Sequence, residues 1–306
     1  MFFEGSEKKI ELQLNSSAVS LRSLPHSFWQ QALSLAQAEI LSSLSNSHCD
    51  AYVLSESSLF VWEHKLLLIT CGNTRLVDAV MFVIDKIGIA HISDLSYQRK
   101  SEFLSHLQAT RFEDDVEQLS TKMAGSAYRV GHLDNHHHYI FCSEQAQKSD
   151  ASACVLMYHI KGPVAQYLRG VSQSATEIRK LLELDRLLPQ FEFDDHLFQP
   201  YGYSINGLFE DKFLTIHITP QERSSYVSIE TNLNFLQYPF NIFSEMLRIL
   251  NPSSWDIIGM NMQVDNLGFP SHRRLASCDL QLNPLNDFNY NHYIQSDCET
   301  LLAEVL

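Results

Sequence analysis

The sequence predicts an α+β fold whose sheets are mostly antiparallel. Strand-like runs outnumber helical ones, and each half reads strands, helix, strands, helix rather than a regular β-α-β alternation. Neither a GxGxxG fingerprint nor a phosphate-binding P-loop occurs, and the chain has only 11 glycines. Taken in order, helical spacing of apolar residues predicts a first helix over Phe28 to Leu44. Apolar runs predict strands over Ala51 to Phe60 and Lys65 to Thr70, and periodicity returns in a helix over Leu76 to Ile87. A strand follows at His138 to Cys142, then a loop-rich joint near Ser143 to Ser152 and a strand at Cys154 to His159. The second half reads as a helix over Ala175 to Leu184, a strand over Gln190 to Phe198, a glycine-bounded turn over Gly202 to Gly207, and strands over Phe213 to Thr219 and Tyr226 to Thr231. The last helix spans Phe240 to Leu250, with Ile242, Phe243, Met246, Leu247 and Leu250 on one face.

Composition excludes several classes of function. Of 306 residues, 45% are hydrophobic and 11% aromatic, enough to fill a large core. The 22 Lys+Arg against 36 Asp+Glu give a net charge of −14, and basic runs are pairs such as Arg99-Lys100, so no nucleic-acid partner is expected. No apolar run approaches the roughly 20 residues of a membrane span, since Leu76 to Ile89 is broken by Asp78, Asp85 and Lys86. Met1 to Lys9 lacks the basic-then-apolar order of a secretory signal, so the expected location is cytoplasmic. Six cysteines (Cys49, Cys71, Cys142, Cys154, Cys278, Cys298) form no CxxC, which argues against a zinc site or a disulfide framework.

Four segments draw chemical attention. His132 to His138 would place His132, Asp134, His136 and His138 on one face of a strand, as metal ligands stand, but Asp134-Asn135 is a turn signal and the simpler reading is a solvated hairpin. Along Phe213 to Thr219, Leu214, Ile216 and Ile218 take an apolar face and His217 the other, held on a rigid element. The turn from Gly202 would return Ser204 toward it. In Tyr52 to Phe60 an apolar strand is interrupted by Ser55-Glu56-Ser57-Ser58, a polar block that reads on pattern alone as a bulge or an exposed edge. Cys71, at a strand end before Gly72, is a candidate thiol.

Phe2 to Lys8 (FFEGSEK), Tyr52 to Phe60 (YVLSESSLF), Thr70 to Gly72 (TCG), Gly202 to Gly207 (GYSING), Thr215 to Pro220 (TIHITP) and Ser225 to Asn232 (SYVSIETN) together resemble the eukaryotic-type S-adenosylmethionine decarboxylase proenzyme family. The matches run in order over nearly the whole chain. The resemblance implies a four-layer αββα sandwich, two antiparallel sheets with helices outside. It also implies a single domain over 1–306 made of similar halves, about 1–145 and 150–306, cut between Glu56 and Ser57.

By the same resemblance, the Ser57 hydroxyl attacks the Glu56 carbonyl, Ser204 steadies the oxyoxazolidine, and His217 takes the Ser57 α-proton. The chain then splits and residue 57 becomes a pyruvoyl group, the expected cofactor, with neither metal nor pyridoxal phosphate. A Schiff base from that group to the substrate amine draws off the electrons released with carbon dioxide, and Cys71 reprotonates the α-carbon. Phe3 and Phe198 match the aromatics that stack on adenine, while Leu54 and Glu56 match positions that border the pocket. The product is the aminopropyl donor of spermidine synthesis, and the family admits a homodimer of processed two-chain units.

Two departures stand out. Where the family has a glutamate that accepts both ribose hydroxyls, this chain has Gln221, which predicts weaker nucleoside binding and admits a simpler amino acid, ornithine or arginine, as substrate. The putrescine-binding network of animal members keeps Glu11, Asp150 and Glu230, but its lysine is Ile69, another glutamate is Cys154, and its aromatics are Met260 and Phe288. Activation by putrescine is therefore not expected. A non-catalytic regulatory homologue would have lost a processing residue, yet Glu56, Ser57, Cys71, Ser204 and His217 are all present.

Overall fold

Alternation along β1 (Lys8–Leu14) sets the layering of the molecule. Ile10, Leu12 and Leu14 join an apolar cluster with the helices outside, whereas Lys9, Glu11 and Gln13 point the other way. The computed structural model describes residues 5–144, 147–200, 202–235, 238, 240–264, 267 and 271–296. Around β1 lie β2 (Ile40–Ser45), β3 (Asp50–Leu54), β4 (Ser57–Val61), β5 (Lys65–Thr70), β6 (Ile92–Lys100), β7 (Gly125–Gly131) and β8 (His137–Ser143). They form an eight-stranded sheet in the order β2-β3-β4-β5-β1-β6-β8-β7.

The second sheet contains β9 (Ser152–Tyr158), β10 (Glu192–Leu197), β11 (Tyr203–Phe209), β12 (Lys212–Thr219), β13 (Tyr226–Thr231), β14 (Ser254–Met260), β15 (His272–Asn283) and β16 (Asn286–Gln295). Its order, β10-β11-β12-β13-β9-β14-β16-β15, is the same permutation as the first, and every neighbouring pair in both sheets is antiparallel.

Helices α1 (His26–Leu35), α2 (Leu76–Ile87) and α3 (Phe112–Ser120) cover the outer face of the first sheet, packing Leu33, Val80 and Leu119 against Leu12 and Leu68. Helices α4 (Gly162–Leu168), α5 (Ala175–Leu181), α6 (Leu184–Leu187) and α7 (Ile242–Leu250) cover the second, with Phe243 and Leu247 against Ile216 and Ile257. The inner faces meet through Phe60, Leu67 and Ile69 against Leu208 and Phe213, and through Ile140 against Cys154 and Ile258. These are the four layers αββα of the sequence expectation. Among the described residues no helix is long and apolar enough to cross a membrane.

Two fully buried ion pairs cross between the sheets, Lys9 to Glu230 at 3.0 Å and Lys100 to Asp256 at 3.0 Å. Burying such charges is costly unless every lone pair is occupied. Asp256 meets that condition, accepting also from Tyr158, Tyr290 and His292.

Three sequence expectations are corrected. Helix α1 stops at Leu35, Gln37 takes a left-handed φ of 63°, and Ile40–Ser45 is strand β2 rather than more helix. The polar block in Tyr52 to Phe60 is neither bulge nor edge: it is a two-residue turn that folds the run into the β3–β4 hairpin, with Leu54 opposite Ser57. Gly202 to Gly207 is no turn either, because Tyr203–Phe209 is strand β11. Gly207 serves close approach, since a Cβ there would lie 2.7 Å from the Phe193 ring.

Candidate active site

The two-residue turn places the Glu56-Ser57 peptide at the end of the first sheet, beside the end of β5. Ser57 pairs with Thr70 and has a φ of 141°, a region that a residue with a Cβ occupies at a cost of roughly 1–3 kcal/mol. The Glu56 carbonyl oxygen accepts the Cys71 backbone N–H at 2.9 Å and the Cys71 thiol at 3.3 Å. Two fixed donors on one carbonyl polarise its carbon and cradle the negative charge that nucleophilic attack develops.

Burial, then the Glu56 and Glu7 carboxylates, push the Cys71 thiol up, so it stays protonated. Burial also pushes the Glu56 side-chain carboxyl up to about 7, against the opposing charge of Lys8. Lys8 Nζ donates to Gly72 O at 2.8 Å and Gln108 Oε1 at 2.7 Å, and the Thr70 and Thr74 hydroxyls meet at 2.8 Å. Together these contacts pin the turn that carries the thiol.

The second sheet supplies a buried imidazole. Ser204 on β11 lies directly opposite His217 on β12, and Asn206 opposite Thr215, so four polar side chains form a patch on the inner face. Ser204 Oγ is 2.8 Å from His217 Nδ1, and Thr215 Oγ1 is 2.8 Å from Nε2. Burial lowers His217 to about 3, which keeps the resting imidazole neutral and disfavours its protonated form. Ser58 reaches across from the first sheet and donates to Asn206 Oδ1 at 2.7 Å. The β3–β4 hairpin and the histidine strand, about 150 residues apart in sequence, are thus linked through the neighbour of Ser57.

Of the pocket-border positions, Leu54 ends β3 and is buried. Phe198 is half-buried, its N–H donating to Gly202 O at 2.8 Å and His196 standing edge-on to its ring at 4.7 Å. Gln221 is half-buried and its Oε1 accepts from Ser224 at 3.3 Å. Phe3 lies outside the described residues. A cavity of about 870 Å³ opens at the opposite ends of the strands, beside Trp62, Lys65 and Asp150, away from Glu56 and Cys71.

Sequence reasoning passed over Glu7, Lys9 and Lys65. Glu7, Cys154 and Glu230 gather within 4.8 Å of one another in the inner layer, where Lys9 supplies the cation at Glu230. Lys65 binds Asp150 at 2.6 Å. The signal was present: Glu7, Lys9 and Glu11 alternate along one strand face whose other side is Ile10 and Leu12, a charged face that a sheet buries only against a partner. Around the histidine segment, Leu133 is exposed in the β7–β8 turn, as a hairpin predicts, but His138 is buried beside Gln98.

The family model described as adenosylmethionine decarboxylase matches residues 1–300. Curated relatives include the S-adenosylmethionine decarboxylase proenzymes of Onchocerca volvulus, 32% identical over 90% of this chain and 80% of that one, and of Dictyostelium discoideum, 31% identical over 82% and 72%. Among solved structures, the Trypanosoma brucei AdoMetDC-delta26 monomer superposes with a TM-score of 0.62 at 20% identity, covering 78% of this chain and 99% of that one, a likeness of fold. On this match, which runs through both sheets and through every residue of the site just described, the chain belongs to the adenosylmethionine decarboxylase family.

Proposed function

We propose that the chain cleaves itself between Glu56 and Ser57 and, with the pyruvoyl group left on residue 57, decarboxylates S-adenosylmethionine. One observation carries this reading: the Glu56 carbonyl is held by two Cys71 donors beside a strained Ser57, with a neutral Ser204–His217 pair on the facing sheet. Attack of Ser57 Oγ on that carbonyl breaks the C–N bond and leaves an ester, relieving the strained φ. His217 takes the Ser57 α-proton, the ester oxygen leaves with Glu56 as a carboxylate, and water replaces the nitrogen, which departs as ammonia.

The residues present fit the resulting group, because Cys71, its thiol 3.3 Å from the carbonyl oxygen of the preceding residue Glu56, stays protonated beside residue 57. That carbonyl supplies an electron sink for the carboxyl bond. The rest is done by side chains. Cys71 delivers its proton to the product carbon, and Phe198 gives a face on which a purine stacks. Carbon dioxide release measured separately with labelled adenosylmethionine, ornithine and arginine tests the substrate; release from either amino acid in place of adenosylmethionine would contradict the proposal.

Gln221 predicts the kinetic signature. A carboxamide accepts from one ribose hydroxyl where a carboxylate accepts from two, so Gln221→Glu lowers KM for adenosylmethionine roughly tenfold with little change in kcat. An unchanged KM would remove Gln221 from the nucleoside site.

We infer independence of putrescine from the cations that this chain itself supplies. Ile69, where animal members carry a lysine, lies directly across from Lys9 on β1. An ammonium therefore reaches Glu230 from the neighbouring strand, and a second, Lys65, sits on Asp150. With Glu230 and Asp150 each carrying a lysine, added putrescine leaves the decarboxylation rate unchanged; a several-fold rise would contradict this.

A further inference from the structure

The hydrogen bonds around His217 continue past it, and they have a direction. Each hydroxyl has one proton to give. Ser58 gives its proton to Asn206 Oδ1 at 2.7 Å, an oxygen that can only accept. Ser58 Oγ in turn accepts from Thr215 Oγ1 over a longer 3.4 Å. With that proton spent, Thr215 Oγ1 accepts from His217 Nε2 at 2.8 Å. A neutral imidazole carries one N–H, so Nδ1 is bare and accepts from Ser204 Oγ at 2.8 Å. The opposite polarity, with the proton on Nδ1, breaks the Thr215–Ser58 bond. It also leaves the buried Ser204 hydroxyl with no acceptor among the described residues. The relay leaves Asn206 Nδ2 buried without a partner, a cost carried by an amide whose oxygen accepts from Ser58 at 2.7 Å.

We propose that Asn206, Ser58 and Thr215 are positioning residues that hold His217 as the Nε2–H tautomer, making Nδ1, on the Ser204 side, the nitrogen that collects the Ser57 α-proton. The inference rests on the reading of His217 as the processing base. When Nδ1 takes the proton, Nε2–H already points at Thr215, and the new positive charge faces a row of oriented hydroxyl dipoles ending on an amide oxygen. Only the Ser204 hydroxyl then has to turn off the Nδ1 lone pair, while the Nε2 side stays as it is. The polarity is written into the sheet, since Ser204–His217 and Asn206–Thr215 are cross-strand pairs fixed by a single register.

The test uses full-length Ser57→Ala protein, which keeps the chain intact, labelled with 15N-histidine, the His217 resonances being assigned by comparison with a Ser57→Ala/His217→Gln double variant. A protonated Nε2 and a bare Nδ1 are expected, and Thr215→Val or Ser58→Ala in the same background should shift the population toward Nδ1–H. In the chain with Ser57 present, Thr215→Val is expected to slow self-cleavage roughly 5- to 10-fold, the factor carried by one buried hydrogen bond, and Thr215→Ser to restore it. Ser58→Ala, the smaller change, gives the same reading should Thr215→Val fold poorly. An Nδ1–H tautomer in the parent, or cleavage at the parental rate in both variants, would overturn the relay. Normal cleavage by His217→Ala would instead overturn the assignment of the base, whatever tautomer the spectrum shows.

Discussion

Replacing Ser57 with alanine leaves one chain of 306 residues and no decarboxylase activity. The parent protein should yield a 56-residue fragment and a second of the remaining 250 residues. Alanine has no nucleophile for the Glu56 carbonyl, so the two Cys71 donors and the strained φ have nothing to act with. Without cleavage no carbonyl is made at residue 57, and the loss is total rather than partial. Because the Ser57 side chain makes a single small group in a folded hairpin, Ser57→Ala should unfold at nearly the same temperature as the intact parent, which separates lost chemistry from lost fold. Activity in the variant would remove self-processing from the mechanism.

Cys71→Ala separates two roles that one residue holds. Its backbone N–H still reaches the Glu56 carbonyl at 2.9 Å, so cleavage continues, slowed by loss of the thiol donor at 3.3 Å. After cleavage the thiol is the group kept protonated at the new carbonyl, and its removal should lower decarboxylation of adenosylmethionine roughly 100- to 10,000-fold, the range of a lost general acid. Fully processed, weakly active Cys71→Ala protein is the expected result, read by denaturing mass spectrometry together with carbon dioxide release. Parental turnover would assign the proton to another donor.

The fold class and the site residues were legible in the sequence to different depths, for physical reasons. Lys65–Thr70 and Tyr226–Thr231, buried strands bounded by turn residues, and α2, with an apolar stripe, stand where local pattern puts them. Strands β6 and β16 were missed because their buried faces are polar: Lys100 in β6 pairs across the sandwich with Asp256, while Gln98, Asn289, Asn291 and His292 bond to neighbours within their own sheets. Burial of charge between two sheets cannot be read from one strand, since the partner lies elsewhere in the chain. The turn at Ser55-Glu56 was hidden for a related reason. It carries no glycine, and Ser57 takes the positive φ that glycine would have announced.

The candidate site residues were named through family motifs, while their geometry was not legible in the sequence. Local reading put His217 on a rigid strand facing away from the apolar layer, which the structure bears out, but no spacing rule connects it to a serine about 150 residues upstream. Lys9 shows the converse. The ammonium that seemed lost at Ile69 returns on the adjacent strand, and only the register of β1 against β5 reveals the exchange.

The central claim is that residue 57 becomes the carbonyl on which adenosylmethionine is decarboxylated. Borohydride reduction of the purified protein in the presence of adenosylmethionine, followed by mass spectrometry under denaturing conditions, tests it directly. The account predicts a 56-residue chain of unmodified mass and a 250-residue chain carrying the reduced adduct at its first residue, with no adduct on Ser57→Ala. A single intact chain from folded protein, or an adduct located away from residue 57, would contradict it.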